Sequence, residues 1–355
     1  MGTVTNFFLG ANSGDGFQSL FFQLTGDRRF HDVMILKGGP GGGKSTFLEQ
    51  LGAAMEETGT EVEYVRCSAE PESLDAVILP QLRCAAVDGT APHAVEPRYP
   101  GAVERYVDLS RFCDVTAAKE QRGEIVAAIE AEQGACARTF HDLKAAAQVR
   151  ADLTADACGA MDWPRAERRI RGVIARELKR RGGEAGESRC RFLGGMTCRG
   201  EVWRFDSVDA LCPKVYELTD SYGLADGLLR RLNQAAASRG WDTVVCLCPE
   251  EPRRAEHLLI PGLGLAFVTS RPGMEYGGKP FRHIRLDAMT HPDGRARMRF
   301  ETRMAHLLRE EAELALREAG EAHRTLERLC NPYVDFDGVR ALAAVETGRL
   351  LSWMK

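Results

Sequence analysis

An internal repeat constrains the fold of this chain more than any other feature. Residues 67–87 align without gaps with residues 248–268, and seven of the paired positions are identical. Other segments match in the same order: Phe8-Leu9-Gly10 with Phe192-Leu193-Gly194, and Asp162-Trp163 with Asp335-Phe336. Matches that keep their order along a chain indicate a duplication. The sequence therefore predicts two related halves, 1–183 and 184–355.

Each half shows the same order of patterns, from a glycine-containing lead-in to a long helical tail. In the first half, apolar runs and alternation predict strands at 33–36, 61–66 and 83–87, and helical periodicity predicts a helix at 46–57. Strands that alternate with helices favour an α/β fold with parallel sheets. The tails, 117–181 and 296–353, contain few helix breakers, so each half is expected to end in a helical hairpin.

Composition and charge exclude several classes of protein. The net charge of −4 and the pI near 6.1 give no overall reason to expect a nucleic acid or an acidic membrane as partner. No apolar run approaches the roughly 20 residues of a membrane span, and residues 1–8 do not resemble a secretory signal. We expect a cytoplasmic protein whose eleven cysteines are reduced thiols.

A phosphate-binding motif lies between the first predicted strand and the first predicted helix. Residues 38–45 match G-x-x-x-x-G-K-[ST] in the strand-loop-helix context that this P-loop, or Walker A, motif requires. Glycines let consecutive N–H groups point at phosphate oxygens, and the helix N-terminus adds favourable charge. The residues predicted to bind the nucleotide are Gly38, Gly39, Pro40, Gly41, Gly42, Gly43, Lys44, Ser45 and Thr46.

Three residues are predicted to carry the chemistry of phosphate cleavage. Lys44 would bridge the β- and γ-phosphates, and the Ser45 hydroxyl would bind Mg²⁺. Asp88, at the end of a buried strand, is the second magnesium ligand, although a turn beside Gly89 also explains it. Glu70 is the candidate that orients or deprotonates water, with Asp75 as a weaker alternative. The repetition of Glu70 as Glu251 favours a loop-capping role as strongly.

Further polar residues near these positions have alternative interpretations. Thr90 and His93 follow Asp88 and are candidates to sense the γ-phosphate, although a loop hydrogen bond explains His93 more simply. The lead-in 10–17 is either a β-turn or a flap over the nucleotide.

The second half has lost the motif. Extending the alignment pairs Lys44 with Asp226, Ser45 with Gly227 and Asp88 with Thr269, so we expect one ATP per chain. A neighbouring domain often supplies an arginine to an ATPase site. The candidates in the second half are Arg230, Arg231, Arg253, Arg254 and Arg271.

A basic segment at 165–181 carries eight Arg or Lys residues and one apolar stripe. A packed helix with a solvated basic face explains it, and nucleic acid or an acidic partner is the alternative.

The whole chain resembles an uncharacterised bacterial family of duplicated P-loop ATP-binding proteins, P-loop NTPases found mainly among Gram-positive anaerobes. The matching segments are residues 35–45, 67–68, 88–93 and 97–103. The resemblance implies ATP binding, with adenine preferred to guanine. The second half of such proteins commonly carries a phosphate loop too, and this chain departs from that pattern at 220–227.

Together these features predict two tandem P-loop NTPase-like domains, with ATP and Mg²⁺ (magnesium) bound to the first. The function expected is a slow ATPase that acts as a conformational switch beside a catalytically dead second repeat. One alternative is a kinase for a small molecule or nucleotide, with an acceptor pocket walled by residues 70–75. The other is an ATP-binding regulatory or nucleic-acid-associated module without turnover. The macromolecular or small-molecule partner and the oligomeric state stay open.

Overall fold

This computed structural model describes residues 2–291 and 295–354, without the side chain of Arg295. The strands are β1 Val4–Phe7, β2 Gly10–Ser13, β3 Gly16–Ser19, β4 Asp32–Lys37, β5 Val62–Arg66, β6 Leu74–Leu79, β7 Cys84–Asp88, β8 Glu104–Asp108, β9 Ser188–Arg191, β10 Gly194–Thr197, β11 Gly200–Trp203, β12 Lys214–Thr219, β13 Thr243–Leu247, β14 Ala255–Ile260, β15 Leu265–Ser270 and β16 Arg282–Arg285. The helices are α1 Lys44–Glu57, α2 Val115–Ala118, α3 Arg122–Gly159, α4 Trp163–Glu177, α5 Phe205–Leu211, α6 Asp226–Ala237, α7 Arg295–Cys330 and α8 Phe336–Ser352.

Two six-stranded sheets have the same strand order and confirm the duplication. The first is β1-β5-β6-β7-β4-β8, and the second is β9-β13-β14-β15-β12-β16. Each sheet is parallel except for one strand, β6 or β14, which runs antiparallel to both neighbours. In the first half this extra strand lies between the strands predicted at 61–66 and 83–87, and the sequence did not predict it. Its short links to the strands on either side allow only antiparallel pairing.

An approximate two-fold axis relates the two halves. Phe8 and Phe192 exchange two backbone hydrogen bonds of 2.9 Å. The lead-in of each half forms a β-hairpin, β2-β3 or β10-β11, and Asn12 Nδ2 donates to Met196 O of the other hairpin at 3.1 Å. The lead-in 10–17 is thus part of the junction between the halves.

The helical tails are exchanged between the halves. α3 packs along α7 rather than folding back on α4, so the hairpin expected within each half does not form. Instead α4 packs on the second sheet through Ala166, Ile170 and Val173, and α8 covers the first sheet through Val339 and Ala343. The turn before α4 is held there because Asp162 N donates to Met289 O at 2.8 Å. Each packed layer therefore contains a helix from the opposite half.

The described residues bear on two expectations, one about the cysteines and one about membrane-spanning helices. All eleven cysteines are unpaired. Among the helices of residues 2–291 and 295–354, none combines the length and apolarity needed to cross a bilayer.

Candidate functional site

The glycine-rich loop at 38–43 connects strand β4, which lies next to the edge strand β8, to α1. Gly41 and Gly43 have φ values of +64° and +81°, which other residues rarely adopt. A side chain at Gly41 would also collide with the Asn331 amide, and one at Gly43 would press on Val339. The loop therefore depends on glycine for its backbone shape and for the close approach of the second half.

The N-terminus of α1 points N–H groups at this loop. Gly43 is its N-cap residue and supplies no side-chain acceptor, while the first-turn N–H groups have no intrahelical acceptor. The helix dipole adds positive charge at the same end. This end of α1 is built to receive an anion.

Lys44 and Asp88, which the sequence assigns to the phosphates and to the metal, lie close together beside the loop. The Lys44 ammonium donates to Gly38 O at 3.2 Å and Gly39 O at 2.9 Å, and Nζ lies 3.7 Å from Asp88 Oδ2. The other carboxylate oxygen, Asp88 Oδ1, accepts from Thr90 N at 2.8 Å and Thr90 Oγ1 at 2.6 Å. Thr90 thus orients Asp88 and leaves Oδ2 facing the cation.

Ser45 links the loop to the start of β6. Its hydroxyl accepts from Leu74 N at 3.1 Å and donates to Glu49 Oε1 at 3.2 Å. Thr46 follows in the first turn of α1. Within the described ranges, no group of three or more His, Cys, Asp or Glu side chains is arranged to hold a metal ion. A metal here would take two protein oxygens at most, from Ser45 and Asp88.

Glu70 makes ion pairs with the second half. Its carboxylate accepts from Arg199 Nε at 3.1 Å and Arg324 Nη1 at 3.2 Å, and Cys198 Sγ lies 3.3 Å away. A carboxylate held by two guanidinium groups is a poor general base, because its lone pairs are already engaged. The geometry favours a bracing role for Glu70 over the catalytic role predicted for it.

Asp75 and His93 form a buried pair, 3.3 Å apart. Burial favours the neutral His93 ring, but the Asp75 carboxylate outweighs this and raises the pKa of His93. With Glu70 and Asp75 both engaged, Glu72 is the exposed acid of the predicted acceptor segment 70–75. The segment therefore provides few groups that could bind an acceptor.

Helix α7 of the second half ends over the loop, which the sequence did not reveal. With the Asn331 amide oriented so that its nitrogen faces acceptors, that nitrogen lies 3.2 Å from Gly41 O and 3.1 Å from Glu327 O. A hydrogen bond from His323 lowers the pKa of Glu327, and Lys44 and Arg324 lower it further, so these charges surround the loop. In the sequence, the pairing of Asp162 with Asp335 indicates that the two tails correspond. It does not indicate that the tails are exchanged, and only that exchange places α7 over the loop.

An open groove of about 450 Å³ adjoins the loop. It is lined by residues 111–114 and 332–335, one segment from each half. Gly38 packs against Leu109 just before the first segment, and Asn331 precedes the second.

The equivalent loop of the second half is filled by its own carboxylate. Asp220 is 5% exposed, and its oxygens accept from Leu224 N at 2.7 Å and Ala225 N at 2.8 Å. Burial raises the pKa of Asp220, and these two N–H donors offset part of that effect. An internal anion thus occupies the N-terminus of α6.

The contacts also correct the predicted alignment of this loop. Asp226 Oδ1 accepts from Ala255 N at 2.7 Å, as Ser45 accepts from Leu74 N, so Asp226 replaces Ser45 and Ala225 replaces Lys44. The second loop is one residue shorter, and the buried leucines of the helices, Leu48 with Leu229 and Leu51 with Leu232, keep the corrected register.

The arginines predicted to reach across from the second half make their contacts elsewhere. Arg254 donates to Gly223 O at 2.7 Å, and Arg271 is buried near Glu256. Arg230 and Arg231 pair with Asp226 and Glu167 on the outer side of α6. Arg199 and Arg324 are the second-half arginines that pair with Glu70.

Comparison of the chain with models of known protein families, with curated proteins and with solved structures finds no match in any of the three.

Proposed function

We propose that the first half binds one MgATP and hydrolyses it slowly, as a P-loop NTPase, and that the second half is a nucleotide-free partner. The contrast between the two loops carries this proposal. In the second half, two backbone N–H groups donate to the Asp220 carboxylate. In the first half, Gly43 is the N-cap residue of α1 and supplies no side-chain acceptor. A terminal phosphate supplies the same negative charge.

The side chains around the first loop fit a triphosphate. Lys44 provides a mobile cation that needs only to leave two carbonyl oxygens to reach a phosphate. In the second half Ala225 has no charge to offer, and Asp226 would repel phosphate. The charge balance therefore favours one nucleotide per chain.

The hydroxyl of Ser45 and the free oxygen of Asp88 also fit Mg²⁺, which prefers oxygen ligands and keeps several waters. When bound, the ion would neutralise charge on the phosphate oxygens. Ser45 would hold it from the start of α1, and Thr90 would keep Asp88 oriented.

The covering end of α7 supports a switch. Arg324 and Glu327 lie where phosphate charge would appear or disappear, and α7 packs along α3, so a shift at one end is transmitted along the helix pair. The groove beside the loop offers a place for the base and ribose. The resemblance to bacterial ATP-binding proteins supports adenine as that base.

Single-turnover phosphate release from γ-labelled ATP with Mg²⁺ tests the proposal. We expect release by the wild type, at least 100-fold slower release by Lys44→Ala, and unchanged release by Lys119→Ala, an exposed lysine outside the site. Titration calorimetry should give one nucleotide per chain. Two nucleotides per chain, or release that survives Lys44→Ala, would contradict the proposal.

A further inference from the structure

A groove lined by arginines lies between α4 and the edge strand β16. It has a volume of about 870 Å³. The arginine groove consists of Arg165, Arg168, Arg169, Arg176, Arg282 and Arg285. Helix α4 comes from the first half and β16 from the second, so the exchange of tails creates this surface.

Most of these charges have no carboxylate nearby. Arg176 pairs with Glu177 at 3.2 Å, and Arg282 lies over the Phe281 ring. The guanidinium groups of the remaining four have no ion pair among the described residues. All four are exposed: Arg165, Arg168, Arg169 and Arg285. The groove thus concentrates positive charge in a chain whose net charge is −4.

On the equivalent face of the first half, acidic residues neutralise the arginines. Arg105, which corresponds to Arg282, bonds to Asp32 at 3.0 Å and to Glu346 at 2.6 Å. Arg349, which corresponds to Arg176, also reaches Asp32 at 2.8 Å. The arginines of that face are therefore satisfied within the protein.

The second face has lost those acids and gained arginines. Lys214 stands where Asp32 would be, and Val173 replaces Glu346. Arg285 replaces Asp108 on the edge strand. Along the helix, the positions of Arg165, Arg168 and Arg169 hold Gly338, Ala341 and Leu342 in α8. A change of this size on one face alone points to a ligand outside the chain.

We propose that the arginine groove binds the phosphate backbone of a duplex nucleic acid. Arg165 to Arg176 span about 16 Å along α4, which matches a run of phosphates along one strand better than a compact anion. Planar guanidinium groups pair with phosphate through two parallel hydrogen bonds. The contacts are to the backbone, so binding is insensitive to base sequence.

A membrane surface fits the groove less well. The apolar residues of α4, Ala166, Ile170 and Val173, are buried against the second sheet, so the helix has no apolar face to insert. Among the described residues beside the arginines, Phe281, 49% exposed, is the one large apolar side chain that is open to solvent.

Fluorescence anisotropy with a labelled 20-base-pair DNA of mixed sequence tests this site. Neutralisation of four phosphates predicts a log–log salt slope of about −3.6 and a roughly 100-fold loss of affinity between 50 and 200 mM salt. We expect Arg168→Glu with Arg285→Glu to lower the affinity at least 50-fold and to flatten the slope. Arg168→Gln with Arg285→Gln should give a smaller loss in the same direction.

The control reverses two exposed arginines that already have acidic partners, Arg317→Glu with Arg340→Glu. It has the same net charge as the groove variant, so an equal loss of affinity in both would contradict a local site. Failure of the wild type to bind the duplex would also overturn the proposal, as would tighter binding to phosphatidylserine vesicles. Lys44→Ala should bind the duplex normally, which separates this site from the nucleotide site.

Discussion

The loops after β4 and β12 occupy the same place in two copies of one fold, yet they satisfy the following helix in different ways. In the second copy Asp220 lies in the loop and accepts from two backbone N–H groups. In the first, glycine replaces the acid, and Lys44 and Ser45 occupy the next helical turn. In both copies the loop backbone presents N–H groups to negative charge, and in the second copy a side chain of the loop itself supplies that charge.

The largest effect should follow from giving the first loop the internal anion of the second. Gly39 lies four and five residues before Gly43 and Lys44, the spacing by which Asp220 reaches Leu224 and Ala225, and a side chain at Gly39 has open space. We expect Gly39→Asp to weaken ATP binding at least 100-fold, because its carboxylate takes the N–H groups and repels phosphate. Calorimetry measures the affinity.

Gly39→Asn is the matched control for that substitution, since it has the same shape without the charge. We expect it to keep most of the affinity. Equal losses from both variants would mean that steric obstruction, and not charge, separates the loops.

Removing the internal anion should destabilise the protein. Asp220→Ala leaves the buried N–H groups of Leu224 and Ala225 without acceptors, at a cost of about 2–3 kcal/mol in the free energy of unfolding. Urea denaturation measures the loss, and Asp220→Asn, which keeps one acceptor, should lose less. Unchanged stability in the alanine variant would show that the Asp220 carboxylate does not stabilise the second loop through these N–H groups.

A smaller effect is expected from replacing Arg324, an arginine that has no counterpart beside the second loop. Ala151 corresponds to Arg324, so the covering helix of the second copy has no such charge. Arg324→Ala should slow single-turnover hydrolysis about tenfold and change ATP affinity less than threefold, because the cation acts on developing phosphate charge. Arg328→Ala, one turn away and exposed, is the control. Equal rates for both variants would exclude a role for Arg324.

The smallest expected effect is a difference in pH dependence: substitutions at the two ends of the α3–α7 pair should lower stability differently as the pH changes. Hydrogen bonds from His323 to Glu132 and Glu327 raise its pKa to about 10, so its contribution is full below pH 6.5, declines above it and is lost near pH 10. Since the ring is 38% exposed, we expect His323→Gln to lose under about 1 kcal/mol at pH 6 and nothing at pH 10.

Arg150 is the counterpart of His323 at the other end and lies 3.7 Å from Glu250. Unlike imidazole, the guanidinium group of arginine is not a titrating group in proteins. Urea denaturation of Arg150→Gln should therefore give a loss that is the same at pH 6 and pH 10. A pH-dependent loss at Arg150, or a constant one at His323, would contradict the assignment.

Local patterns in the sequence predict the elements that hold the site. The apolar run at 33–36 indicates strand β4, and the glycines after it indicate the loop and the start of α1. The identities between residues 67–87 and 248–268 indicate the duplication. These features depend on short-range periodicity and backbone freedom, which a sequence records directly. Lys44 and Asp88 lie close together because the strands before them are neighbours in the sheet.

Long-range features are hidden from the sequence for physical reasons. The apolar stripe of α4 is satisfied equally by either sheet, so periodicity cannot reveal that the tails exchange. Arg199, in the turn between β10 and β11, and Arg324, on α7, reach Glu70 only because the two halves pack together. The one-residue deletion before Asp226 is hard to detect because glycine and acid residues carry little alignment signal in a loop.

The exchange of α4 and α8 has a consequence for where such a chain came from. A polypeptide holding one copy alone would leave part of one face of its sheet uncovered, since the last helix it carries covers a neighbour's sheet rather than its own. Such a chain would need a second molecule of itself in order to fold, with each lending a helix to the other. The ancestor of this fold is thus best pictured as an intertwined homodimer. Joining two copies in one chain keeps each lent helix beside the sheet that it covers.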